Sequence, residues 1–158
     1  MSYDFIKPFE ESWEKIYEEY LNIKNNLIPW PTQKHIYNDD GWETYEIFDF
    51  PNGNEVKDNH CPFTTNLVKN TFPKGQGIVT FSRLKPNTTL IPHRGLRDGK
   101  MRAHLGLDIP EGDCKFQVED TIYIWEPGKI FTFDPGAMHS AWNLTDKERV
   151  ILVIDFFE

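Results

Sequence analysis

Apolar and polar residues follow two different periods along this chain, and the change comes near Gly77. In residues 8–22 apolar side chains recur every three or four positions with acidic residues between them, a spacing typical of an amphipathic helix. Pro8 and the glutamates that follow it suit the first turn of that helix. A mixed apolar and polar stretch predicts a second helix over residues 63–70.

Beyond Gly77 short strand-like runs follow one another, separated by turn signals rich in Pro, Gly, Asn and Asp. The pattern predicts eight such strands, at 78–84, 88–93, 101–107, 114–118, 121–125, 129–133, 139–143 and 150–157. Another short strand is predicted at 44–48. Eight strands after a helical start indicate a mainly β fold, a double-stranded β-helix (jelly roll, cupin-like) with N-terminal α-helices. An immunoglobulin-like sandwich is the alternative, which the cysteine spacing does not favour.

One domain accounts for the whole chain, because no repeat, low-complexity tract or linker interrupts it. We predict a single domain over 1–158. In it, a helical and irregular part (1–75) packs on a jelly-roll core (76–158).

Composition narrows the class of partner. A formal net charge of -8 argues against binding to a phosphate backbone, so we expect no nucleic-acid partner. No apolar run approaches a membrane span, and the N-terminus lacks the layout of a signal peptide. Cys61 and Cys114 are too few for a disulfide framework. We therefore expect a cytoplasmic protein without a membrane partner.

Polar residues inside two of the predicted strands point to chemistry. Along 101–108 the apolar residues occupy one face, while Arg102 and His104 lie on the other. That strand alone fits a solvent-facing pair equally well. The run 150–157 is apolar on both faces, as a buried central strand is, and Arg149 stands at its head. We expect Arg149 to point into the barrel with an anion near it; a salt bridge at the rim is the alternative.

His93 and His139 are candidate metal ligands, since each lies at a strand end beside a Pro/Gly-rich turn, where a barrel mouth is expected. Neutral imidazole suits iron, copper, nickel and zinc alike. Non-haem iron oxygenases commonly add a carboxylate, often as His-x-Asp/Glu. The residue two after His93 is Gly95, so that carboxylate is missing.

Ordered motifs along most of the chain make the picture specific. They are Phe81-Ser82-Arg83-Leu84-Lys85-Pro86, Pro92-His93-x-Gly95, Arg102-x-His104-Leu105-Gly106-Leu107-x-Ile109-Pro110, Trp125-Glu126-x-Gly128-Lys129, Phe133-Asp134, His139-x-x-Trp142-Asn143 and Arg149-Val150 with Asp155, with weaker echoes at Trp13 and Cys61-Pro62-x-Thr64. With these motifs the chain resembles the aspartyl/asparaginyl β-hydroxylase family of iron(II)/2-oxoglutarate-dependent oxygenases. The resemblance accounts for Gly95, because this family binds iron with two histidines and no protein carboxylate.

The resemblance implies roles for the candidate residues. It implies that His93 and His139 ligate iron and that Ser82 and Arg149 bind the distal carboxylate of 2-oxoglutarate. The residue chemistry agrees, because a guanidinium fork matches a carboxylate and a serine hydroxyl can complete the anion site.

By the same resemblance, Arg102 and His104 lie near the metal-side carboxylate of the co-substrate, and Arg102 joins the two ligands as a catalytic residue. One departure from the family pattern is Asp134-Pro135, where many relatives carry a second acid. This difference bears on the hydrogen bonds that orient His139 and on the choice of substrate.

The implied reaction is hydroxylation of an unactivated carbon with O₂, giving succinate and CO₂ from 2-oxoglutarate. The implied substrate is an aspartyl/asparaginyl-type or related amino acid, free or in a peptide. A positive patch of Arg94, Arg97 and Lys100 is placed to receive a substrate carboxylate, with an ordinary solvated loop as the alternative.

Two other functions stay open at this stage. A radical halogenase is conceivable, because Gly95 leaves room for a halide on the metal. A cupin-like barrel that binds a metal or small acid without turnover is the rival from another class, since this fold hosts unrelated functions. The joint presence of Ser82, Arg102 and Arg149 with two histidines favours catalysis, because a passive metal site has no need of an anion clamp.

Overall fold

The computed structural model describes residues 3–33, 36–37, 41–95 and 98–158. Its three α-helices are α1 (Lys7–Glu11), α2 (Trp13–Ile23) and α3 (Pro62–Lys69). Short 3₁₀ turns at Asp4–Ile6 and Lys24–Asn26 flank the first two. The helix predicted over 8–22 is thus two helices that break at Ser12. Within the described ranges no helix combines the length and apolar character needed to cross a bilayer.

Ten strands form two antiparallel sheets. They are β1 (Ile28–Pro29), β2 (Trp42–Phe48), β3 (Gln76–Leu84), β4 (Thr88–His93), β5 (Lys100–Asp108), β6 (Cys114–Val118), β7 (Thr121–Tyr123), β8 (Ile130–Phe133), β9 (His139–Asn143) and β10 (Arg149–Phe157).

The larger sheet has the order β1-β2-β3-β10-β5-β8 and the smaller one the order β4-β9-β6-β7. This arrangement confirms the predicted mainly β jelly roll with N-terminal helices, and the predicted strands differ from the observed ones by no more than two residues at either end. The N-terminal part also contributes to the barrel, since β2 pairs along β3 within the larger sheet.

The central strands of the larger sheet are buried on both faces, as the two-sided pattern of β10 predicted. Alternate residues such as Leu152 and Ile154 join a core between this sheet and the helices. Their neighbours Ile151 and Val153 join a second core between the two sheets. Because successive side chains on a strand point to opposite faces, Arg149 falls on the same face as Ile151 and points between the sheets.

Gly106 on β5 permits a close approach that explains two of the sequence motifs. The segment before β8 crosses directly over it, with Gly128 N–H donating to Gly106 O at 2.8 Å and Gly106 N–H donating to Lys129 O at 3.0 Å. A Cβ at Gly106 would lie 2.1 Å from Glu126 O. The contact fixes the backbone next to Trp125, a buried residue whose ring reaches the interior of the barrel.

Replacing Gly106 with alanine is therefore expected to lower the free energy of unfolding by about 3 kcal/mol, because the crossing segment has to move away. Urea denaturation followed by circular dichroism measures the change. Gly99→Ala is the matched control: it has open space around it but a φ of +88°, so backbone conformation alone should cost about 1 kcal/mol. Equal losses in the two variants would contradict the steric account.

Candidate active site

A cavity lies between the two sheets and brings the predicted site residues together. We call it the inner cavity; its lining comprises Trp30, Trp42, Ser82, Leu90, His93, Arg102, His104, Phe116, Phe133, His139, Ala141, Arg149, Ile151 and Val153. A second space, the outer cleft, shares Trp30, Arg102 and His139 with it. The remaining lining of the outer cleft is Thr32, Gln33, Phe50, Pro51, Ile78, Arg94, Gly95, Asp98, Lys100, Pro135 and Asp155.

His93 and His139 are direct partners across the β4–β9 ladder, and their ring centroids are 4.3 Å apart. Nδ1 of His93 lies 2.7 Å from Ile91 O, and Nδ1 of His139 lies 2.8 Å from Ala137 O. A carbonyl oxygen only accepts hydrogen bonds, so each Nδ1 carries the proton and each Nε2 carries the lone pair. Both rings are thus held in the tautomer that ligates a metal through Nε2.

The electrostatics of His139 agree with that role. Burial lowers its pKa from the ordinary 6.5 to about 4, so the ring is neutral at pH 7. A ligating imidazole has to be neutral. The structure therefore presents a ligand that needs no proton removed before it can bind a metal.

Gly95 ties together the two loops that carry these histidines. Its N–H donates to Pro135 O at 2.7 Å, and Arg94 Nη1 donates to Gly136 O at 3.0 Å. A Cβ at Gly95 would lie 3.1 Å from Pro135 O, closer than side chains ordinarily approach backbone. A side chain at position 95 would thus crowd the backbone at Pro135. Among the described residues, no three His, Cys, Asp or Glu side chains cluster to enclose a metal, so the histidine pair would share its ion with other ligands.

Arg149 is a buried guanidinium, 2% exposed, that no described carboxylate pairs with. Its Nη2 donates to Ser82 Oγ at 2.9 Å and to Ser82 O at 3.3 Å, while its Nε has no hydrogen-bond partner. The group also lies over the Trp125 ring at 4.5 Å. Burial lowers the pKa of Arg149 to about 10, which leaves it charged at neutral pH. A buried cation is costly without a counter-charge, so this geometry calls for an anionic ligand.

Ser82 completes an anion site with that arginine. Its Oγ accepts hydrogen bonds from Trp42 Nε1 and from Arg149, both at 2.9 Å. An indole N–H and a guanidinium can only donate, and a hydroxyl has two acceptor lone pairs and one proton. Both lone pairs are therefore used, and the Ser82 proton remains to be donated to a ligand in the inner cavity.

His104 has the opposite tautomer from the metal-ligand candidates. Trp125 Nε1 donates to His104 Nδ1 at 3.1 Å, so this nitrogen carries the lone pair. Burial lowers the pKa of His104 well below 6.5, so the ring is neutral with its proton on Nε2. His104 can therefore donate a hydrogen bond to an anion through Nε2, but it presents no Nε2 lone pair to a metal. It is also only 6% exposed, which shows that the solvent-facing alternative for this strand is wrong.

Arg102 lines both spaces and is paired with a carboxylate that sequence reasoning gave no role. Its Nε and Nη2 donate to the two oxygens of Asp155 at 2.6 and 3.0 Å, and the residues are direct partners across β5 and β10. Of the five N–H donors of a guanidinium, three remain for other ligands. The charge of Arg102 is thus balanced, unlike that of Arg149.

Two of the three residues in the predicted positive patch can be located in the structure. Arg94 and Lys100 line the outer cleft, and Lys100 pairs with Asp98. Arg97 lies outside the described residues. Only Arg94 and Lys100 can therefore be placed beside the cleft.

Sequence reasoning assigned no role to three residues that orient the site. Trp125 and Asp155 belong to the motifs quoted from the sequence, and those motifs could have indicated that both residues are part of the site. Trp42 carried none, because it lies 40 positions before Ser82 and reaches it only through the pairing of β2 with β3.

Comparison with known proteins places this site in a family. The family model described as aspartyl/asparaginyl beta-hydroxylase matches residues 10–158. The chain belongs to the aspartyl/asparaginyl β-hydroxylase family. The matched residues include both candidate metal ligands, the anion site, α2 and α3.

Family relatives share the domain at moderate identity. The ornithine lipid ester-linked acyl 2-hydroxylase of Rhizobium tropici is 38% identical over 127 residues, which cover 78% of this chain and 44% of that protein. The human aspartyl/asparaginyl beta-hydroxylase is 27% identical over 158 residues, which cover 96% of this chain and 21% of that protein. The chain thus spans less than half the length of each of these hydroxylases.

A solved structure supports the fold alone. The cupin-2 domain protein Rru_A2000 of Rhodospirillum rubrum aligns with a TM-score of 0.52 at 12% identity, covering 84% of this chain and 70% of that one. The chain therefore shares the cupin-like barrel.

The histidine tautomers can be observed directly. In the metal-free protein, ¹⁵N–¹H correlation of the imidazole rings at pH 7 should show the proton on Nδ1 in His93 and His139 and on Nε2 in His104. The backbone carbonyls and the Trp125 indole impose this pattern. Trp125→Phe is expected to release the preference of His104 alone. A His139 ring protonated on Nε2 would contradict the assignment of its ligating nitrogen.

The pairing of Arg102 with Asp155 predicts a stability effect. Asp155→Asn should lower the free energy of unfolding by about 2 kcal/mol, because charge-assisted hydrogen bonds are lost. Combining it with Arg102→Met should recover part of that loss, since no unbalanced cation is left. Chemical denaturation of the two single variants and the double variant gives the coupling. Strictly additive losses would rule out a direct interaction.

Proposed function

We propose that this protein is an iron(II)/2-oxoglutarate-dependent dioxygenase that hydroxylates an unactivated carbon of an aspartyl/asparaginyl-type or related amino-acid substrate, free or in a peptide. The observation that carries the proposal is the pairing of two features in one cavity. A buried Arg149–Ser82 anion site without a described counter-charge lies in the same space as two adjacent histidines held in the ligating tautomer.

The residues fit the two ends of a dicarboxylic co-substrate. His93 and His139 would hold iron(II) through Nε2. Arg149 and Ser82 offer donors only, as the distal carboxylate of 2-oxoglutarate requires.

At the metal side, His104 offers a neutral N–H donor and Arg102 offers its remaining guanidinium N–H groups. Both side chains line the cavity with the histidine pair. We infer that they orient the second carboxylate, with Asp155 fixing the plane of Arg102.

Bound iron(II) would supply O₂ activation coupled to decarboxylation of 2-oxoglutarate, which yields succinate, CO₂ and a hydroxylated product. The protein contributes orientation and a largely apolar enclosure. Phe116, Phe133 and Leu90 line the cavity beside the polar groups and are buried, which limits water at the site.

The substrate would enter through the outer cleft, which reaches His139 and Arg102 from the protein surface. Relatives named for an acyl 2-hydroxylase and for an aspartyl/asparaginyl β-hydroxylase support C–H hydroxylation of an amino acid or an amino-acid conjugate. A cytoplasmic location remains part of this proposal, in keeping with two buried, unpaired cysteines.

The alternatives receive less support. A passive binding module gives no reason for an anion site built beside the ligand pair. The halogenase alternative rests only on the absence of a side chain at Gly95.

The direct test of the function is succinate formation. Activity should require both iron(II) and 2-oxoglutarate, and anaerobic addition of the two should give a weak visible charge-transfer band. His93→Ala and His139→Ala should each abolish both signals. Full activity in His139→Ala would overturn the proposal.

The anion site makes a separate prediction. Arg149→Lys keeps the charge but loses the planar fork, so the apparent Kd for 2-oxoglutarate should rise at least about 10-fold, with iron(II) retained. Anaerobic titration of the charge-transfer band measures it.

Arg83→Lys is the matched control, because Arg83 adjoins Ser82 in sequence but pairs with Glu43 outside both cavities. Its affinity for 2-oxoglutarate should stay at the wild-type value. Equal effects of the two substitutions would argue against an anion site at Arg149.

A further inference from the structure

Among the described charged residues that line the outer cleft, one cation has no acidic partner. Among its described residues are three cationic and two acidic side chains, and the acids are both engaged: Asp98 pairs with Lys100, and Asp155 pairs with Arg102. No described acidic side chain lies in ion-pair contact with Arg94. Among the described residues, the positive charge of Arg94 in the cleft is therefore unmatched.

Arg94 is held in place although it is exposed. Its Nη1 donates to Gly136 O at 3.0 Å, and its own carbonyl accepts a hydrogen bond from Gln33 Nε2 at 3.1 Å. The first contact ties the guanidinium to the loop before His139, and the second ties its backbone to the opposite wall. A guanidinium fixed in this way loses less conformational entropy when it binds a ligand.

The opposite lining of the cleft is apolar. Trp30, Ile78 and Phe50 face it, and the Trp30 ring stacks on Trp42 with a centroid separation of 3.9 Å and an interplanar angle of 8°. Phe50 meets Trp30 edge-on at 5.1 Å. Trp30 and Ile78 are only 2% and 4% exposed, so they back the wall, and the half-buried Phe50 presents its apolar surface to the cleft. A small polar metabolite would leave that surface in contact with water.

We propose that the substrate of this site is an amphiphilic acid, whose carboxylate binds Arg94 and whose apolar arm lies along Phe50, on the wall that Trp30 and Ile78 back. The inference rests on the proposed function, which it deepens by naming the substrate class. The planar guanidinium matches a carboxylate with parallel hydrogen bonds. Arg94 and the metal-ligand candidate His139 line the same cleft, so an acid bound at Arg94 occupies the space that reaches the metal pair.

Three probes separate the two halves of the inference: N-hexanoyl-L-alanine, its primary amide, and N-acetyl-L-alanine. Binding is measured by calorimetry on the anaerobic protein with iron(II) and 2-oxoglutarate. The hexanoyl acid should bind at least 10-fold more tightly than the amide, which lacks the charge. It should also bind at least 10-fold more tightly than the acetyl acid, which lacks the arm.

Arg94→Gln should weaken binding of the hexanoyl acid about 10-fold and leave the amide unchanged. Lys115→Gln is the control, because it makes the same charge change on β6 at a residue that lines neither cavity. Equal binding of acid and amide, wild-type affinity in Arg94→Gln, or no binding of any probe would overturn the carboxylate site. Equal binding of the hexanoyl and acetyl acids would overturn the apolar arm.

Succinate formation by the wild-type protein is recorded in parallel. Its absence, together with Arg94-dependent binding of the acid, would reject the oxygenase function while keeping the acid site. Its presence without that binding would reject the substrate class alone.

Discussion

The burial of one guanidinium governs the interior of this barrel. Arg149 is withdrawn from water without a described carboxylate beside it, so every neighbouring group has to stabilise a cation or leave space for an anion. Trp125 supplies a ring face and Ser82 supplies its hydroxyl and carbonyl oxygens. Trp125 depends in turn on Gly106, where only a residue without a side chain lets the crossing segment approach. The position of the Arg149 cation thus depends on the close packing at Gly106, through the Trp125 ring.

Hydrogen-bond partners, rather than residue type, divide the histidines of the inner cavity into two tautomers. Carbonyl oxygens two residues upstream of His93 and His139 fix the proton on Nδ1 in each ring. The Trp125 indole fixes the reverse in His104. Because a lone pair binds a metal and an N–H binds an anion, three identical side chains in one cavity serve two purposes. This arrangement also accounts for a metal pair without a carboxylate: the site supplies two lone pairs, and an acid bound nearby can supply further oxygen ligands.

The sequence predicted the strands and the inward direction of Arg149, because alternation and two-sided burial are local properties of a strand. It did not predict which strands become neighbours. Asp155 opposite Arg102 and Trp42 beside Ser82 are consequences of pairing register, which no local pattern specifies. Residues 8–22 show the same limit, since their periodicity indicated one helix and the chain breaks it at Ser12. The ligand and co-substrate roles came from family resemblance, and the hydrogen bonds supply the physical reasons that support them.

The two spaces differ in where their residues come from, and this difference bears on substrate choice. The polar groups of the inner cavity stand on strands or at strand ends, within the ordered motifs of the sequence. Gln33, Phe50 and Arg94 of the outer cleft stand in connecting segments, where sequence changes disturb packing least. A barrel of this kind can keep one co-substrate site while its loops adapt to different substrates. Such a division between strands and loops would allow relatives to be named for different substrates, one for a lipid acyl group and another for aspartyl or asparaginyl residues. On this argument the strands would set the proposed reaction, and the loops around Arg94 would set the choice of substrate.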